Sequence, residues 1–222
     1  MNPMALDLCC GMGGWTDGLL ARGFDVVGVD IYRHAKYRGE LELSDLMEFD
    51  EFRFSGVAVV VASPPCTDYA RWDKPEKWFA QGRPVPDDSL VNRCRQIAAN
   101  LDVPLVLENV RGAQQFLGPA WHHYGPFYLW GDGVPTLLPR CDRRIDKFKN
   151  SGWDAASRAK IPFELAATVA GIHAARIAAG EPSSTIRFRP AFSGYTHETR
   201  VMRAQKARRL SLASVNLERK RA

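Results

Sequence analysis

The pattern of apolar and polar positions predicts six β-strands separated by helices and loops. Each predicted strand is a short apolar run bounded by glycine, proline or charged residues, which is typical of buried strands. The runs occupy residues 5–10, 25–30, 41–43, 56–62, 103–110 and 126–131.

Three further segments have the pattern and the end signals of helices. The first is helical from residue 15 until Gly23. The second ends at residue 101 and has Asp88 or Ser89 as its N-cap. Residues 161–180 have Pro162 in the first turn and Gly180 as the stop. Because helices alternate with strands that are apolar on both faces, we expect an α/β fold. Its mostly parallel sheet is covered by helices on both faces.

Composition limits the domain organisation. A chain of 222 residues with 45% hydrophobic residues buries one large core. We assign residues 1–180 to this domain and residues 181–222 to a linker and a basic tail. From residue 197 to the end, eight basic residues stand against two glutamates, a net charge of +6. Such a tail either contacts nucleic-acid phosphates or forms a solvated, partly frayed helix.

The remaining compositional signals concern location and metals. The first residues lack a charged leader with a long apolar stretch, and no window is apolar enough for a membrane span. We therefore expect a cytoplasmic protein without membrane contact. The five cysteines form no CxxC pair and no zinc-like cluster, so reduced thiols and no bound metal are expected.

A glycine-rich turn follows the first predicted strand. In DLCCGMGGWTDGL the strand leads into Gly11, Gly13 and Gly14 and then into a helix, so a ligand can lie against the helix amino end. Asp30 closes the next strand, where an acid either accepts hydrogen bonds from ribose hydroxyls or caps a turn. Asp45 in SDL either accepts from an adenine amino group or caps a turn in the same way.

A thiol and a carboxyl group end two other predicted strands. VVVASPPC breaks out of the sheet at two prolines and places Cys66 at the carboxyl edge, while LENV places Glu108 and Asn109 at the end of the next strand. Open α/β sheets bind ligands at this edge. A thiolate there can add to an electrophilic carbon while a carboxyl group exchanges a proton with the attacked ring. For Cys66 the alternative is a buried small apolar residue.

These motifs resemble those of the cytosine-5 DNA methyltransferase family. DLCCGMGGWTDGL, VGVD, SDL, SPPC, LENV and KIPFELAATVAGI occur in the family's order between Leu6 and Ile177. The resemblance implies a class I methyltransferase fold, S-adenosylmethionine as cofactor and DNA as partner, with the target cytosine flipped out of the helix. A phage or another mobile element is a possible source of so short a member, acting in the bacterial cytoplasm.

The resemblance also implies a role for individual residues. Cys66 would attack cytosine C6 and Glu108 would act at N3, so that C5 becomes nucleophilic enough to accept a methyl group. The implied cofactor contacts are Asp7, Gly11, Met12, Gly13, Asp30, Asp45 and Pro64. The implied substrate contacts are Pro65, Asn109, His122, Arg143 and Arg144.

The chain departs from the family pattern at several positions. Ser63 and Thr67 flank the Pro-Pro-Cys motif, where the family has glycine and glutamine, and Ala159 stands where it has asparagine. The family's two base-holding arginines are missing ahead of FYLWG. His122, or Arg143 and Arg144 in the following loop, are candidates to replace them, against a surface or packing role for each.

Few residues are available for the recognition of a DNA sequence. A recognition insert would have to fit within residues 132–160, with whatever the tail adds, so we expect short or relaxed specificity. After Cys66, Tyr69, Trp72 and Trp78 alternate with basic residues and either stack against the displaced strand or form a hydrophobic cover.

Three alternatives to a DNA cytosine-5 methyltransferase remain. The same chemistry on tRNA or another RNA is one of them. An amino-methylating enzyme with a variant SPP-aromatic motif is the second, although it has no use for LENV. The third is a non-catalytic relative that binds nucleic acid through the tail, which the missing arginines suggest.

Overall fold

A mixed β-sheet forms the centre of the structure. The computed structural model describes residues 2–70, 86–138, 141, 157 and 159–181. Within them the sheet has seven strands in the order β3-β2-β1-β4-β5-β7-β6. The strands are β1 Met4–Leu8, β2 Asp25–Asp30, β3 Glu40–Leu43, β4 Val57–Ala62, β5 Leu105–Asn109, β6 His122–Tyr124 and β7 Phe127–Trp130.

The strand directions identify the fold. The pairs β1–β2, β1–β4, β2–β3 and β4–β5 are parallel, whereas β7 runs antiparallel to both β5 and β6. A sheet in this order with its one reversed strand at that position is the arrangement of class I methyltransferases. The expected α/β fold class is therefore confirmed. The strand order runs from β1 through β2 and β3 on one side and through β4 and β5 on the other, so it reverses between β1 and β4. A ligand crevice is expected at the carboxyl ends of these two strands.

Different helices cover the two faces of the sheet. The helices within the described residues are α1 Gly14–Leu20, α2 Thr67–Ala70, α3 Ser89–Asn100, α4 Gln114–Leu117 and α5 Phe163–Ala178. Helices α1 and α5 pack against one face, where Trp15 and Leu165 meet Val61. Helices α3 and α4 pack against the other, where Ile97 and Phe116 belong to the same cluster as neighbouring strand residues. Alternate residues of the central strands thus enter two separate cores.

Most predicted elements are present, with differences at their ends. Strand β2 has the predicted bounds, whereas β1 ends at Leu8 because Cys9 has a left-handed backbone (φ 54°) that leaves the ladder. Helix α1 ends at Leu20, before the predicted Gly23. Helix α5 ends as predicted: Gly180 has φ 71°, and its N–H donates to the Ile177 carbonyl at 3.0 Å.

One strand was not predicted. Strand β6, with the sequence His-His-Tyr, has no apolar alternation, so nothing in its pattern indicates a strand. It forms as the edge of a hairpin, because Gly125 adopts φ 58° and turns the chain into the apolar strand β7.

Close contact between α1 and α5 depends on a glycine. A Cβ atom built at Gly18 would lie 2.5 Å from both the carbonyl carbon and the Cβ of Ala166. Those atoms belong to the backbone region of α5 and cannot rotate away. The two helices therefore approach each other only because position 18 has no side chain.

Gly18→Ala should destabilise the protein by about 1–3 kcal/mol, because the added methyl group forces α1 and α5 apart. Gly171→Ala is the matched control, since a Cβ there meets only the flexible Arg22 side chain at 3.4 Å. Because Gly171→Ala replaces a glycine in the interior of α5, it should instead stabilise the protein by about 0.5–1 kcal/mol. Urea denaturation of both variants measures this, and equal effects would contradict the packing argument.

Candidate active site

A cavity of about 450 Å³ opens at the carboxyl ends of the central strands. Its walls come from the glycine loop after β1, the turn after β2, the turn after β3, the loop after β4 and the segment that leads into α5. Met12, Asp30, Asp45, Pro65 and Lys160 represent these five segments in the lining. The volume lies in the range typical of small-molecule sites.

The glycine loop is held in place by the end of β2. Gly11 and Gly13 have left-handed backbones, with φ 51° and 73°. The Gly11 N–H donates to Asp30 Oδ2 at 2.9 Å, and Asp30 Oδ1 accepts from the Tyr32 N–H at 3.0 Å. Asp30 thus organises both loops while it lines the cavity. Its contact with a ribose remains a prediction.

Asp45 is a turn cap that also lines the cavity. Its side chain accepts from the Met47 N–H at 2.9 Å, which is a turn cap, and the residue also lines the cavity. Gly11 and Met12 line the cavity as well, and Met12 Sδ lies 3.7 Å from Ser157 Oγ. The adenine contact of Asp45 remains a prediction.

Three predicted cofactor contacts, Asp7, Gly13 and Pro64, lie outside the cavity lining. Asp7 is 1% exposed, and its Oδ2 accepts from the Thr16 N–H at 3.1 Å and from Thr16 Oγ1 at 2.7 Å. The interpretation of Asp7 as a cofactor contact needs correction, because this carboxyl group binds the first turn of α1 from below.

Burial dominates the ionisation of Asp7. Removal from water raises the pKa of this carboxyl group from 3.8 to about 7, although the hydrogen bonds from Thr16 oppose the shift. Its second oxygen, Oδ1, is buried and has no hydrogen-bond partner among the described residues. A charged form at this position is therefore unfavourable.

Tyr37 completes this network and was not identified in the sequence. Its hydroxyl lies 2.9 Å from Thr16 Oγ1. Cβ atoms built at Gly13 and Gly28 would meet the Tyr37 ring, so two glycines make room for it. Glycine at these positions therefore serves the packing of a tyrosine under the loop. No local pattern around Tyr37 indicates this contact, because the glycines lie on other segments.

Ser63 connects the loop after β4 to the glycine loop. Its hydroxyl accepts from Trp15 Nε1 at 3.0 Å, and its N–H donates to the Leu8 carbonyl at 3.1 Å. Both Ser63 and Trp15 line the cavity. The departure from glycine at position 63 thus adds a polar contact between two walls of the cavity.

The ends of β4 and β5 are joined by Asn109. This residue is fully buried, and its side-chain amide donates to the Pro64 carbonyl at 3.1 Å. The predicted substrate contact of Asn109 is therefore corrected to a positioning role. The bond holds the Pro-Pro-Cys loop against the strand end that carries Glu108.

Cys66 and Glu108 follow adjacent parallel strands. Cys66 is half-buried at the start of α2, where its carbonyl accepts from the Ala70 N–H at 2.8 Å. Glu108 is 6% exposed. Pro65, the residue before the thiol, lines the cavity. Thiol, carboxyl group and cavity are thus gathered at one edge of the sheet.

His122 lies in the same row of the sheet as Glu108. Leu129 of β7 is paired with His122 on one side and with Glu108 on the other. Residues in one row point to the same face, and two strand spacings separate their Cα atoms by about 10 Å. Arg143 and Arg144, the other candidates for holding the base, lie outside the described residues.

Of the three aromatic residues predicted to contact nucleic acid or cover the loop after Cys66, the structure describes Tyr69. Tyr69 is 2% exposed, its ring lies 5.6 Å from that of Phe116, and its hydroxyl donates to the Asp87 carbonyl at 3.2 Å. Stacking of Tyr69 on nucleic acid is therefore wrong, because the ring is part of the core. Trp72 and Trp78 lie outside the described residues.

Comparisons with known proteins find distant structural similarity. No protein-family model matches the sequence, and no curated protein matches it. Among solved structures, a candidate DNA modification methyltransferase from an E. coli prophage has a TM-score of 0.36 at 20% identity, over 50% of this chain and 33% of that chain. Spodoptera frugiperda DNMT2 has a TM-score of 0.36 at 21% identity, over 50% and 37%. Entamoeba histolytica methyltransferase EhMeth has a TM-score of 0.39 at 16% identity, over 52% and 40%.

These matches take in about half of this chain and two fifths or less of each solved chain. The fold class is assigned from the strand order and strand directions of this chain. Within the described residues, no helix has the length and apolar character to cross a membrane, and no cluster of three or more potential ligand side chains could hold a metal ion.

Asp7→Asn should change how stability depends on pH. Between pH 3.8 and about 7 the folded protein keeps a proton on Asp7 that the unfolded chain has lost, so this stabilisation is present below about pH 4 and is lost as pH rises towards 7. Asparagine does not titrate. The free energy of unfolding of the variant minus that of the parent should therefore rise by up to about 4 kcal/mol over this range, as measured by urea denaturation.

The free energy of unfolding of the variant is compared with that of the parent because His173 changes stability with pH in the opposite direction to Asp7. Burial lowers the pKa of His173 from 6.5 to about 4, so its contribution is lost as pH falls through that range. Asn92→Ala replaces an exposed residue that does not titrate. Its free energy of unfolding should therefore differ from that of the parent by the same amount at every pH. A pH-independent difference for Asp7→Asn would contradict the shifted pKa.

Proposed function

We propose that this chain is an S-adenosylmethionine-dependent DNA cytosine-5 methyltransferase. The observation that carries the proposal is the Asn109–Pro64 hydrogen bond, which ties the Cys66 loop to the strand end of Glu108 beside a cavity of nucleoside size. The order of the sequence motifs supports the same conclusion. We assign the catalytic domain to residues 1–180 and expect it to act in the cytoplasm.

The cavity has the chemistry that S-adenosylmethionine requires. Asp30 and Asp45 offer carboxylate acceptors for hydroxyl and amino groups, and the exposed apolar side chains of Ile31, Tyr32 and Met47 line the mouth, where a purine could pack. When bound there, the cofactor would supply a methyl group on its sulfonium sulfur. Gly11 and Met12 would form the wall next to its nucleoside part.

The proposed roles of Cys66 and Glu108 follow from the electronic structure of cytosine. The Cys66 thiolate forms a bond to C6, and Glu108 gives a proton to N3, which turns the ring into an enamine. Carbon C5 would then bond to the methyl group of the cofactor as the sulfonium carbon–sulfur bond breaks, with S-adenosylhomocysteine as the leaving group. Return of the N3 proton to Glu108, loss of the C5 proton to a base and departure of the Cys66 sulfur as thiolate restore the ring as 5-methylcytosine.

Burial of Glu108 suits this role. A carboxyl group that is 6% exposed lies where water competes little for the hydrogen bond to N3. His122 lies in the same row of the sheet and is a candidate to hold the flipped base in place of the missing arginines. Arg143 and Arg144 are alternative candidates for this function.

DNA is the proposed polymer, and RNA is the alternative. The basic tail and the recognition insert at residues 132–160 are assigned to phosphate and base contacts. Both segments lie largely outside the described residues. Methyl transfer from labelled cofactor to duplex DNA and to tRNA, measured side by side, distinguishes the two substrates.

A covalent adduct tests the proposed mechanism. Incubation with S-adenosylmethionine and a duplex that contains 5-fluorocytosine should trap the protein on DNA, because fluorine at C5 cannot leave as a proton does. Cys66→Ala should abolish the shifted band in a denaturing gel, and Glu108→Gln should reduce its rate at least about 100-fold.

Cys94→Ala is the thiol control, because it removes a free cysteine of α3 that lies outside both the cavity lining and the recognition insert. This variant should retain the adduct. An adduct that persists in Cys66→Ala would contradict the assigned nucleophile. DNA binding without any adduct in the parent would instead favour the non-catalytic relative.

Asn109→Ala should separate the two strand ends. It leaves the Pro64 carbonyl without its donor, which should cost about 1–3 kcal/mol of stability and slow adduct formation. The exposed α3 variant Asn92→Ala should change neither quantity. Thermal denaturation and the gel assay measure the two effects, and unchanged adduct formation in a folded Asn109→Ala protein would contradict the positioning role.

A further inference from the structure

The charges in the cavity lining are unevenly distributed. On the side formed by the ends of β2 and β3, the lining contains Asp30 and Asp45. On the side where α1 and α5 begin, it contains Lys160, which is the single lysine or arginine among the described lining residues. A ligand that matches this arrangement has hydroxyl or amino groups at one end and an anionic group at the other.

Lys160 is held beside the glycine loop by a close backbone approach. A Cβ atom built at Gly14 would lie 2.5 Å from the backbone nitrogen of Ile161, so the segment before α5 reaches the loop only because Gly14 has no side chain. The neighbouring Ala159 lines the cavity without offering a polar side-chain atom. Lys160 is therefore the charged group that this segment presents to the cavity.

An ion-pair network orients the Lys160 ammonium group. Its Nζ lies 2.7 Å from Asp17 Oδ2, while Asp17 Oδ1 lies 2.7 Å from Arg38 Nη2. One carboxylate between two cations leaves a net charge of +1 at this place. An ammonium group has three N–H donors and the bond to Asp17 uses one, so Lys160 can bind an anion without leaving Asp17.

We propose that Lys160 binds the carboxylate of the amino-acid part of the cofactor, and that it thereby selects nucleosides that carry a free amino acid over simple nucleosides. The inference depends on the proposed function, because it concerns the same cavity and the same ligand class. A charge-assisted hydrogen bond between ammonium and carboxylate supplies the discrimination. Asp17 acts as a positioning residue that limits the conformations of the Lys160 side chain.

Two nucleosides that differ in the anionic group test the proposal. S-adenosylhomocysteine carries the carboxylate, whereas 5′-methylthioadenosine has the same nucleoside thioether without the amino-acid part. Calorimetric titration of the parent should give tighter binding of the former. Lys160→Met should weaken S-adenosylhomocysteine at least about tenfold and change 5′-methylthioadenosine less than about twofold.

Further variants separate charge from packing. Lys160→Arg keeps the positive charge and should retain S-adenosylhomocysteine affinity within about threefold. Arg53→Met removes an exposed cation that pairs with Glu42 outside the cavity lining, and it should leave the ratio of the two affinities unchanged. Lys160→Gln provides a second neutral variant if Lys160→Met does not fold, as judged by circular dichroism.

The outcomes distinguish this inference from the proposed function. If Lys160→Met weakens both compounds equally, or weakens neither, the carboxylate contact is wrong although the cavity still binds nucleosides. If the parent binds neither compound, the assignment of the cofactor cavity fails, and the role of Lys160 fails with it. A selective loss of S-adenosylhomocysteine binding, restored by arginine, is the result that supports the proposal.

Discussion

The parallel alignment of β2, β1, β4 and β5 is the constraint on which the site depends. Parallel strands end at the same edge, so the glycine loop, Asp30, the Pro-Pro-Cys loop and Glu108 meet there although they are far apart in sequence. The reversed strand β7 adds the row that contains His122 without disturbing this edge. A single change of strand direction among the central four would separate the thiol from the cavity.

Side-chain hydrogen bonds between loops then set the positions within that edge. Trp15 binds Ser63, Asn109 binds Pro64, and Asp30 binds Gly11, so the glycine loop and the loop after β4 are held by side chains of other segments. These bonds involve groups with little exposure to water, where an unpaired donor or acceptor would be costly. The loops that surround the cavity are therefore fixed by the core.

Two buried titratable groups without an ionic partner among the described residues are favoured in their neutral forms. Burial raises the pKa of Asp7 and lowers the pKa of His173, and in both cases the neutral form is favoured. The ion pairs of Asp17 with Arg38 and Lys160 lie nearer the surface, whereas the buried carboxylate of Glu51 pairs with Arg93 at 2.7 Å. Charge is thus retained where the proposed ligand would enter.

The sequence alone determined the fold class, the strands β1–β5 and β7, the stop at Gly180 and the strand-end positions of Cys66 and Glu108. These features depend on the apolar period and on proline and glycine chemistry within a few residues. Tertiary structure decided the rest. Asp7 caps α1 and Asn109 binds Pro64, although sequence reasoning assigned both to ligands. Tyr69 packs on Phe116, whereas the sequence left stacking on nucleic acid and a hydrophobic cover open. Tyr37, Lys160 and β6 were missed, since their positions depend on close approaches to glycines or strands distant in the chain. A polar residue at a strand end has the same local signature whether it faces a ligand or another loop, and only packing between distant segments separates the two.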